Sequence, residues 1–258
     1  MARIISLCNQ KGGVGKSTSC INLGVYLAAF GKRVLLVDMD PQANTTSGMG
    51  LNLRRSTKNV YQVLIGENSA EEAIKKTALL SVDILPSSPA LAGAAIEMVD
   101  IKNREYKLKE TLEAVRRKYD FIIIDSPPSL SLLTLNVLTA SHKTIIPVQC
   151  EYYALEGLAD LLHTIQLINL NLKTKIVILG ALLTMYDRKS RLHRAVEKEI
   201  RRKFPGYVFD AKIPRNVSLA EAPSFGKTIL QYDPYSHGAK AYRQLAEEVL
   251  KLEGLRKI

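Results

Sequence analysis

The chain has 258 residues, 47% of them hydrophobic, and 36 Lys and Arg against 25 Asp and Glu leave a formal net charge of +11. That suffices for one α/β domain with a sizeable core, and the longest apolar runs are strand-sized, so neither a membrane span nor a secretory leader is expected and the protein reads as cytoplasmic. Three cysteines with no CxxC pair, and four histidines without metal-ligand spacing, argue against a disulfide framework or a metal module, while the charge favours a polyanion, either nucleic acid or an anionic membrane.

The first apolar run, Ile4–Cys8, predicts a strand. It leads into Lys11-Gly12-Gly13-Val14-Gly15-Lys16-Ser17-Thr18, and a helical pattern follows from Ser17 to Phe30. Strand, glycine-rich loop and helix form the context of a phosphate-binding loop. Its glycines let the backbone N–H groups turn toward phosphate, and the helix N-terminus adds its positive end. Lys16 would reach the terminal phosphates, and the Ser17 hydroxyl would ligate Mg²⁺. Gln10 stands where the usual pattern has glycine, and Lys11 is an additional cation. A lysine there is free to serve a nucleotide held by a second copy of the chain.

The next run, Val34–Val37, ends in Asp38-Met39-Asp40-Pro41-Gln42. The stretch from Gly48 to Ser69 shows no clear period and reads as loops and short helices. Further strands are expected at Val82–Leu85, Phe121–Ile124, Thr144–Val148 and Ile176–Leu179, with helices such as Leu155–Ile168 and Ser236–Leu252 between or after them. Runs such as Phe121-Ile122-Ile123-Ile124 are continuous rather than alternating, so both faces are covered. The expected fold is α/β, a mostly parallel twisted sheet flanked by helices on both faces, with 1–258 forming one domain.

The run Phe121–Ile124 ends in Asp125-Ser126-Pro127-Pro128. Ligands of open parallel sheets sit at the carboxyl ends of strands. Three such ends therefore offer a phosphate loop and two carboxylate clusters, the layout of Mg²⁺-dependent nucleotide hydrolysis. Asp125 is the candidate metal holder, or a helix cap before the Pro-Pro step. Asp40 is the candidate for orienting or deprotonating the attacking water, or else part of an Asp-Pro turn. Asp38 shapes the strand end or supports the metal shell.

Between Arg188 and Lys203, eight Lys and Arg face two acids, Glu197 and Glu199. At 100° per residue Arg191, Arg194, Lys198, Arg201 and Arg202 share one face, and Leu192, Val196, Ile200 and Phe204 lie roughly opposite. A cationic row of this kind suits DNA phosphates without base readout, and Lys189 and Arg215 extend it; a solvated helix face is the plainer alternative. No segment long enough for a helix-turn-helix precedes Ile4, so sequence-independent duplex binding is the expectation.

Together these residues resemble the deviant Walker ATPases of the SIMIBI P-loop superfamily, and among them the ParA/Soj-type partitioning ATPases. The glycine loop, Val37–Gln42 and Ile123–Pro128 match the three nucleotide motifs. Pro147-Val148-Gln149-Cys150-Glu151-Tyr152-Tyr153-Ala154-Leu155-Glu156-Gly157, Ile213-Pro214-Arg215-Asn216 and Glu221-Ala222-Pro223 also fit, so the likeness spans nearly the whole chain. The resemblance implies slow Mg²⁺-dependent ATP hydrolysis and an ATP-driven sandwich homodimer. Lys11 would reach the partner's phosphates, Lys16 its own β/γ-phosphates, and Thr18 the α-phosphate. Gly12, Gly13, Val14 and Gly15 would wrap the phosphates, Pro214 and Asn216 would lie against adenine, and Glu151 would meet the partner's ribose. The dimer would bind double-stranded DNA non-specifically at the nucleoid, and a ParB/Spo0J-type centromere-binding protein would stimulate hydrolysis and release. A MinD-like membrane-cycling ATPase is the alternative, but the acids of Leu245–Glu253 suit neither an anionic surface nor the basic amphipathic helix that class needs. An iron–sulfur relative would need cysteines placed to bridge a cluster, which Cys8, Cys20 and Cys150 are not.

Overall fold

The computed structural model describes residues 1–51, 58–151, 154–172 and 174–255; Tyr152 and Tyr153 of the fourth matching segment, and residues 52–57 of the unclear stretch, lie outside them. Among the described residues the strands are β1 (Arg3–Leu7), β2 (Val34–Asp38), β3 (Lys75–Lys76), β4 (Val82–Leu85), β5 (Phe121–Asp125), β6 (Lys143–Gln149) and β7 (Val177–Thr184). They form one sheet in the order β3-β4-β2-β5-β1-β6-β7. Every pairing is parallel except β3 with β4. The helices are α1 (Lys16–Ala29), α2 (Asn44–Gly48), α3 (Val60–Leu64), α4 (Ala70–Ala73), α5 (Ala94–Glu97), α6 (Lys107–Glu113), α7 (Leu132–Ala140), α8 (Ala154–Asn171), α9 (Arg191–Lys203), α10 (Val217–Glu221), α11 (Ile229–Tyr232) and α12 (His237–Leu252).

Alternate residues of each strand serve opposite faces. Ile5, Leu36, Ile84 and Ile123 pack with Leu23 and Leu27 of α1 and with Tyr242, Leu245 and Val249 of α12. Their neighbours Leu35, Val37, Ile122 and Ile124 pack with Val60 of α3, Leu108 and Leu112 of α6, and Val137 of α7. A third cluster joins Ile146, Val148, Ala181 and Leu183 to α8 and α9. The two-sided burial expected from continuous apolar runs is therefore present, and the apolar face of α12 is spent on the sheet. No helix of the described residues is long and apolar enough to cross a membrane.

Two differences from the sequence expectation have simple causes. β3 is a two-residue antiparallel edge, too short and too charged to leave an apolar signature. β7 runs on to Thr184, because Gly180 does not end the strand but lets the ring of Phe209 and the chain at Tyr207 approach. There a Cβ would stand 2.8 Å from Phe209 Cε2 and 2.9 Å from the Tyr207 carbonyl oxygen.

Helix α1 lies close against β2 at Gly24, where a Cβ would stand 2.5 Å from Leu36 Cδ2 and 3.4 Å from Val34 Cγ1. This contact sets how near the helix carrying the phosphate loop comes to the sheet. Gly24→Val should destabilise the fold by about 1–3 kcal/mol, the usual cost of overpacking. Urea unfolding measures this, and an unchanged midpoint would show that α1 has room to move away.

Candidate functional site

The loop between β1 and α1 is held from several sides. Asn9 Nδ2 donates to the Pro147 carbonyl at 2.6 Å, and Asn9 Oδ1 accepts from the Lys11 N–H at 2.9 Å. Thr184 Oγ1 donates to the Val14 carbonyl at 2.9 Å, and Gln10 Nε2 to Thr164 Oγ1 at 3.3 Å. Gly13 and Gly15 take φ of 73° and 87°, the left-handed region in which a side chain would be strained. No side chain caps α1, so its N-terminal turn is open to an anion.

Lys16, 6% exposed, donates from Nζ to the Lys11 carbonyl at 3.2 Å. Burial lowers its pKa, while Asp125, Cys8 and Asp40 pull it back up. Lys11 points elsewhere: its Nζ pairs with Glu151 Oε2 at 2.6 Å, with side chains 54% and 44% exposed. Gln149 Nε2 donates to the other oxygen of Glu151 at 2.5 Å. The two residues expected to face a second copy are thus neighbours on one accessible surface.

The register of β2 and β5 pairs Asp38 with Asp125, and both are fully buried. Asp38 Oδ1 accepts from the Asp40 N–H at 3.1 Å; its Oδ2 accepts from Thr46 N at 2.8 Å and Thr46 Oγ1 at 2.7 Å. Burial, then the charge of Asp125, pushes its pKa up to about 7 against those bonds. Asp125 Oδ2 accepts from Thr45 Oγ1 at 2.8 Å, and burial raises this residue to about 6, with the hydroxyls of Ser17 and Thr45 lowering it and Asp40 raising it. The other oxygen of Asp125, Oδ1, is buried without a hydrogen bond of good geometry. An orphaned carboxylate oxygen beside a serine hydroxyl is a hard, all-oxygen donor set that fits a divalent cation such as Mg²⁺.

Two adjoining cavities complete the site. One of about 310 Å³ is lined by Gly12, Gly13, Gly15, Lys16, Ser17, Thr18, Asp40, Gln42, Asn44, Pro128 and Met185. The other, of about 440 Å³ and mainly apolar, includes Thr184, Ile213, Pro214, Arg215, Asn216, Val217, Leu219 and Tyr242. Gly15, Thr18 and Met185 line both. A cation-bearing compartment joined to a more apolar one has a form that suits a nucleotide, with room for phosphates in the first and a base in the second. Pro214 and Asn216 both line this second cavity, and Asn216 Oδ1 also caps α10 by accepting from Leu219 N at 3.0 Å. Sequence reasoning missed Thr184, Met185 and Tyr242, which no motif marks. It also missed Thr45 and Thr46, for which the polar run after Gln42 was the available signal. Met185 sits at φ 50°, a strained value for methionine, at the junction of the two cavities.

The cationic helix is corrected in detail. Val196, Ile200 and Phe204 are buried in the cluster that joins β6, β7 and α8, but Leu192 is 47% exposed and stands outside that cluster. Arg201 is not a free member of the row. It pairs with Glu197 at 3.0 Å and donates to the Val208 and Phe209 carbonyls, each at 3.2 Å. Arg202 pairs with Glu199 at 2.7 Å, and Arg194 donates to the Arg188 carbonyl at 2.7 Å. Among the described residues no ion pair engages Lys189, Arg191, Lys198 or Arg215 at 4.0 Å or less.

The buried carboxylate pair makes stability depend on pH. A carboxyl whose native pKa lies above its unfolded value of 3.8 holds its proton more tightly when folded. The stability it contributes is full below about pH 4 and is lost as the pH rises through 6 and 7. The nucleotide-free protein should therefore melt lower at pH 8 than at pH 5.5, by ~2–4 °C for each kcal/mol lost. Asp38→Asn should flatten this slope. An unchanged slope in calorimetry of that variant would remove Asp38 as its source.

A family model described as an AAA domain matches residues 2–178. The sporulation initiation inhibitor protein Soj of Bacillus subtilis is 52% identical over 96% of this chain and 98% of its own length. The chromosome-partitioning ATPase Soj of Thermus thermophilus is 50% identical over 96% and 95%. Among solved structures, cobyrinic acid a,c-diamide synthase from Mycobacterium smegmatis with bound ATP analog and magnesium superposes with a TM-score of 0.86 at 35% identity, covering 100% of this chain and 98% of that one. With relatives this similar over nearly their full length, and a glycine loop, paired strand-end carboxylates and a two-part cavity at one sheet edge, the chain belongs to the ParA/Soj family of chromosome-partitioning ATPases.

Proposed function

We propose that residues 1–258 act as one ATP-dependent DNA-partitioning unit, in which ATP binding drives assembly of a sandwich homodimer that holds duplex DNA and hydrolysis releases it. The observation that carries this reading is the pair of adjoining cavities, with Lys16, Ser17 and Asp40 lining the phosphate side and Pro214 and Asn216 the base side. Gly12 to Gly15 wrap the phosphates, Thr18 serves the α-phosphate, and Lys16 the β- and γ-phosphates. Ser17 and the unpartnered oxygen of Asp125 would hold Mg²⁺, which when bound neutralises phosphate charge. Asp40 orients the attacking water and takes its proton. Water adds at the γ-phosphorus as the bond to the ADP oxygen breaks, leaving ADP and phosphate.

Lys11 exchanges Glu151 for the phosphates of a second copy, and Glu151 then meets that copy's ribose. Both are accessible enough for the exchange, and an exposed ion pair costs little to break. Lys189, Arg191, Arg194, Lys198, Arg202 and Arg215 form the DNA face; Arg201 supports it from below. Contacts of this kind go to phosphates, so binding is sequence-independent and salt-sensitive. The partner that stimulates hydrolysis is a ParB/Spo0J-type centromere-binding protein, and the place of action is the nucleoid.

Fluorescence anisotropy of two unrelated duplexes in ATP, ADP and no nucleotide tests the reading. Retention should require ATP and be lost in Lys16→Ala. Asp40→Ala should lower turnover by roughly a hundredfold, the scale of a lost general base, while keeping ATP-dependent retention. Wild-type turnover in that variant would take Asp40 out of the chemistry. Arg191→Glu with Lys198→Glu should abolish retention and leave ATPase activity intact; these positions avoid the backbone contacts of Arg201. Undiminished retention at moderate salt would place the DNA face elsewhere.

A further inference from the structure

We infer that Thr46 is a positioning residue for the hydrolytic step, acting through Asp40 without touching nucleotide. This rests on the role proposed above for Asp40. The Asp40 backbone is held on both sides by side chains. Its N–H donates to Asp38 Oδ1 at 3.1 Å, and its carbonyl accepts from Ser87 Oγ at 2.7 Å. Those two holders come from different places, the end of β2 and the segment after β4. Thr46 joins them. Its hydroxyl donates to Asp38 Oδ2 at 2.7 Å and accepts from the Ser87 N–H at 2.9 Å, while its own N–H donates to the same Asp38 oxygen at 2.8 Å.

The result is a closed ring running from the Asp40 N–H through Asp38, Thr46 and Ser87 back to the Asp40 carbonyl. Every member is buried: Asp38 and Thr46 fully, Ser87 to 1% exposure and Asp40 to 6%. Water therefore has little access with which to replace a lost bond, so removing one hydroxyl leaves the Ser87 N–H without its acceptor and Asp38 short of one donor. The side chain of Asp40 gets further local support from the Gln42 N–H, which donates to Oδ1 at 2.9 Å, but nothing in that contact fixes the loop to the sheet. Thr46 lines neither cavity, and neither does Asp38. Loss of the hydroxyl should loosen where Asp40 presents its carboxylate and leave the nucleotide contacts of Lys16, Ser17 and Thr18 as they are.

The test compares Thr46→Val, which keeps the shape and removes the hydroxyl, with Thr46→Ser, which keeps the hydroxyl, and with Asp40→Ala. Steady-state ATPase gives kcat and KM, and a fluorescent ATP analogue gives affinity. Thr46→Val should lose roughly ten- to a hundredfold in kcat, the scale of a small misplacement of a reacting group, with KM and affinity within about twofold. Thr46→Ser should restore kcat to within about threefold of the parent. If Thr46→Val does not yield folded protein, Thr46→Ala carries the same comparison. Turnover in Thr46→Val near that of the parent, with Asp40→Ala inactive, overturns the role of Thr46 and leaves Asp40 in place. Asp40→Ala at parental turnover overturns the reading beneath it. A parallel loss of affinity, or a failure of Thr46→Ser to recover, would mean that Thr46 acts through folding or nucleotide binding, which also overturns the proposal.

Discussion

Three parallel strands in register govern this molecule. β1, β5 and β2 lie side by side, with Leu7 opposite Asp125 and Asp125 opposite Asp38. Neighbouring strands are about 4.8 Å apart, so two carboxylates that end adjacent strands are forced together where no water reaches them. Repulsion and desolvation oppose this placement, and the surrounding donors offset it: Thr45, Thr46, the Asp40 N–H and the amine of Lys16. The loop after β1 must then pass over the same point, because β1 is the next strand along. The glycine-rich loop and the buried carboxylates meet through strand order alone, at the strand ends where parallel sheets take their ligands.

Such an arrangement stores unfavourable electrostatics at the place of chemistry, a common feature of sites that bind charge. The left-handed Met185 is a second local cost, at the junction between the two cavities. Both are supported by a core that closes over each face of the sheet. Gly24 brings α1 against β2, and the hydroxyls of Ser19 and Tyr242 meet at 3.0 Å between α1 and α12. Tyr242 also lines the apolar cavity, so the packing of α12 is continuous with a wall of the candidate site.

Most of the sheet was legible because β2, β5 and β6 are covered on both sides and read as unbroken apolar runs. β3 was not, since two lysines at an edge owe their conformation to β4. The phosphate loop was legible because its geometry is local: glycines at Gly13 and Gly15 permit the turn, and Lys16 follows at once. The apolar cavity is assembled from the end of β7, the 213–220 segment and α12. No local rule links those pieces, and the family resemblance supplied Pro214 and Asn216 but not Met185 or Tyr242. The helical wheel of α9 identified the cationic side but could not see which cations are already engaged, because Val208 and Phe209 reach Arg201 only in the folded chain.

The ties of α9 reach further than the helix. Tyr186, next to Met185, donates its hydroxyl to Glu197 at 2.5 Å, and its N–H donates to the Ile213 carbonyl at 2.9 Å. The Asp187 N–H donates to His193 Nδ1 at 2.9 Å. The cationic helix is therefore tied by hydrogen bonds to the wall of the apolar cavity. With those ties the proposed DNA face gains little grip by tilting a helix. On the proposed reading it gains by number: one face engages a few phosphates weakly, and two faces fixed in a single body engage them jointly, so that retention rises with the avidity of the pair and ends when the pair comes apart.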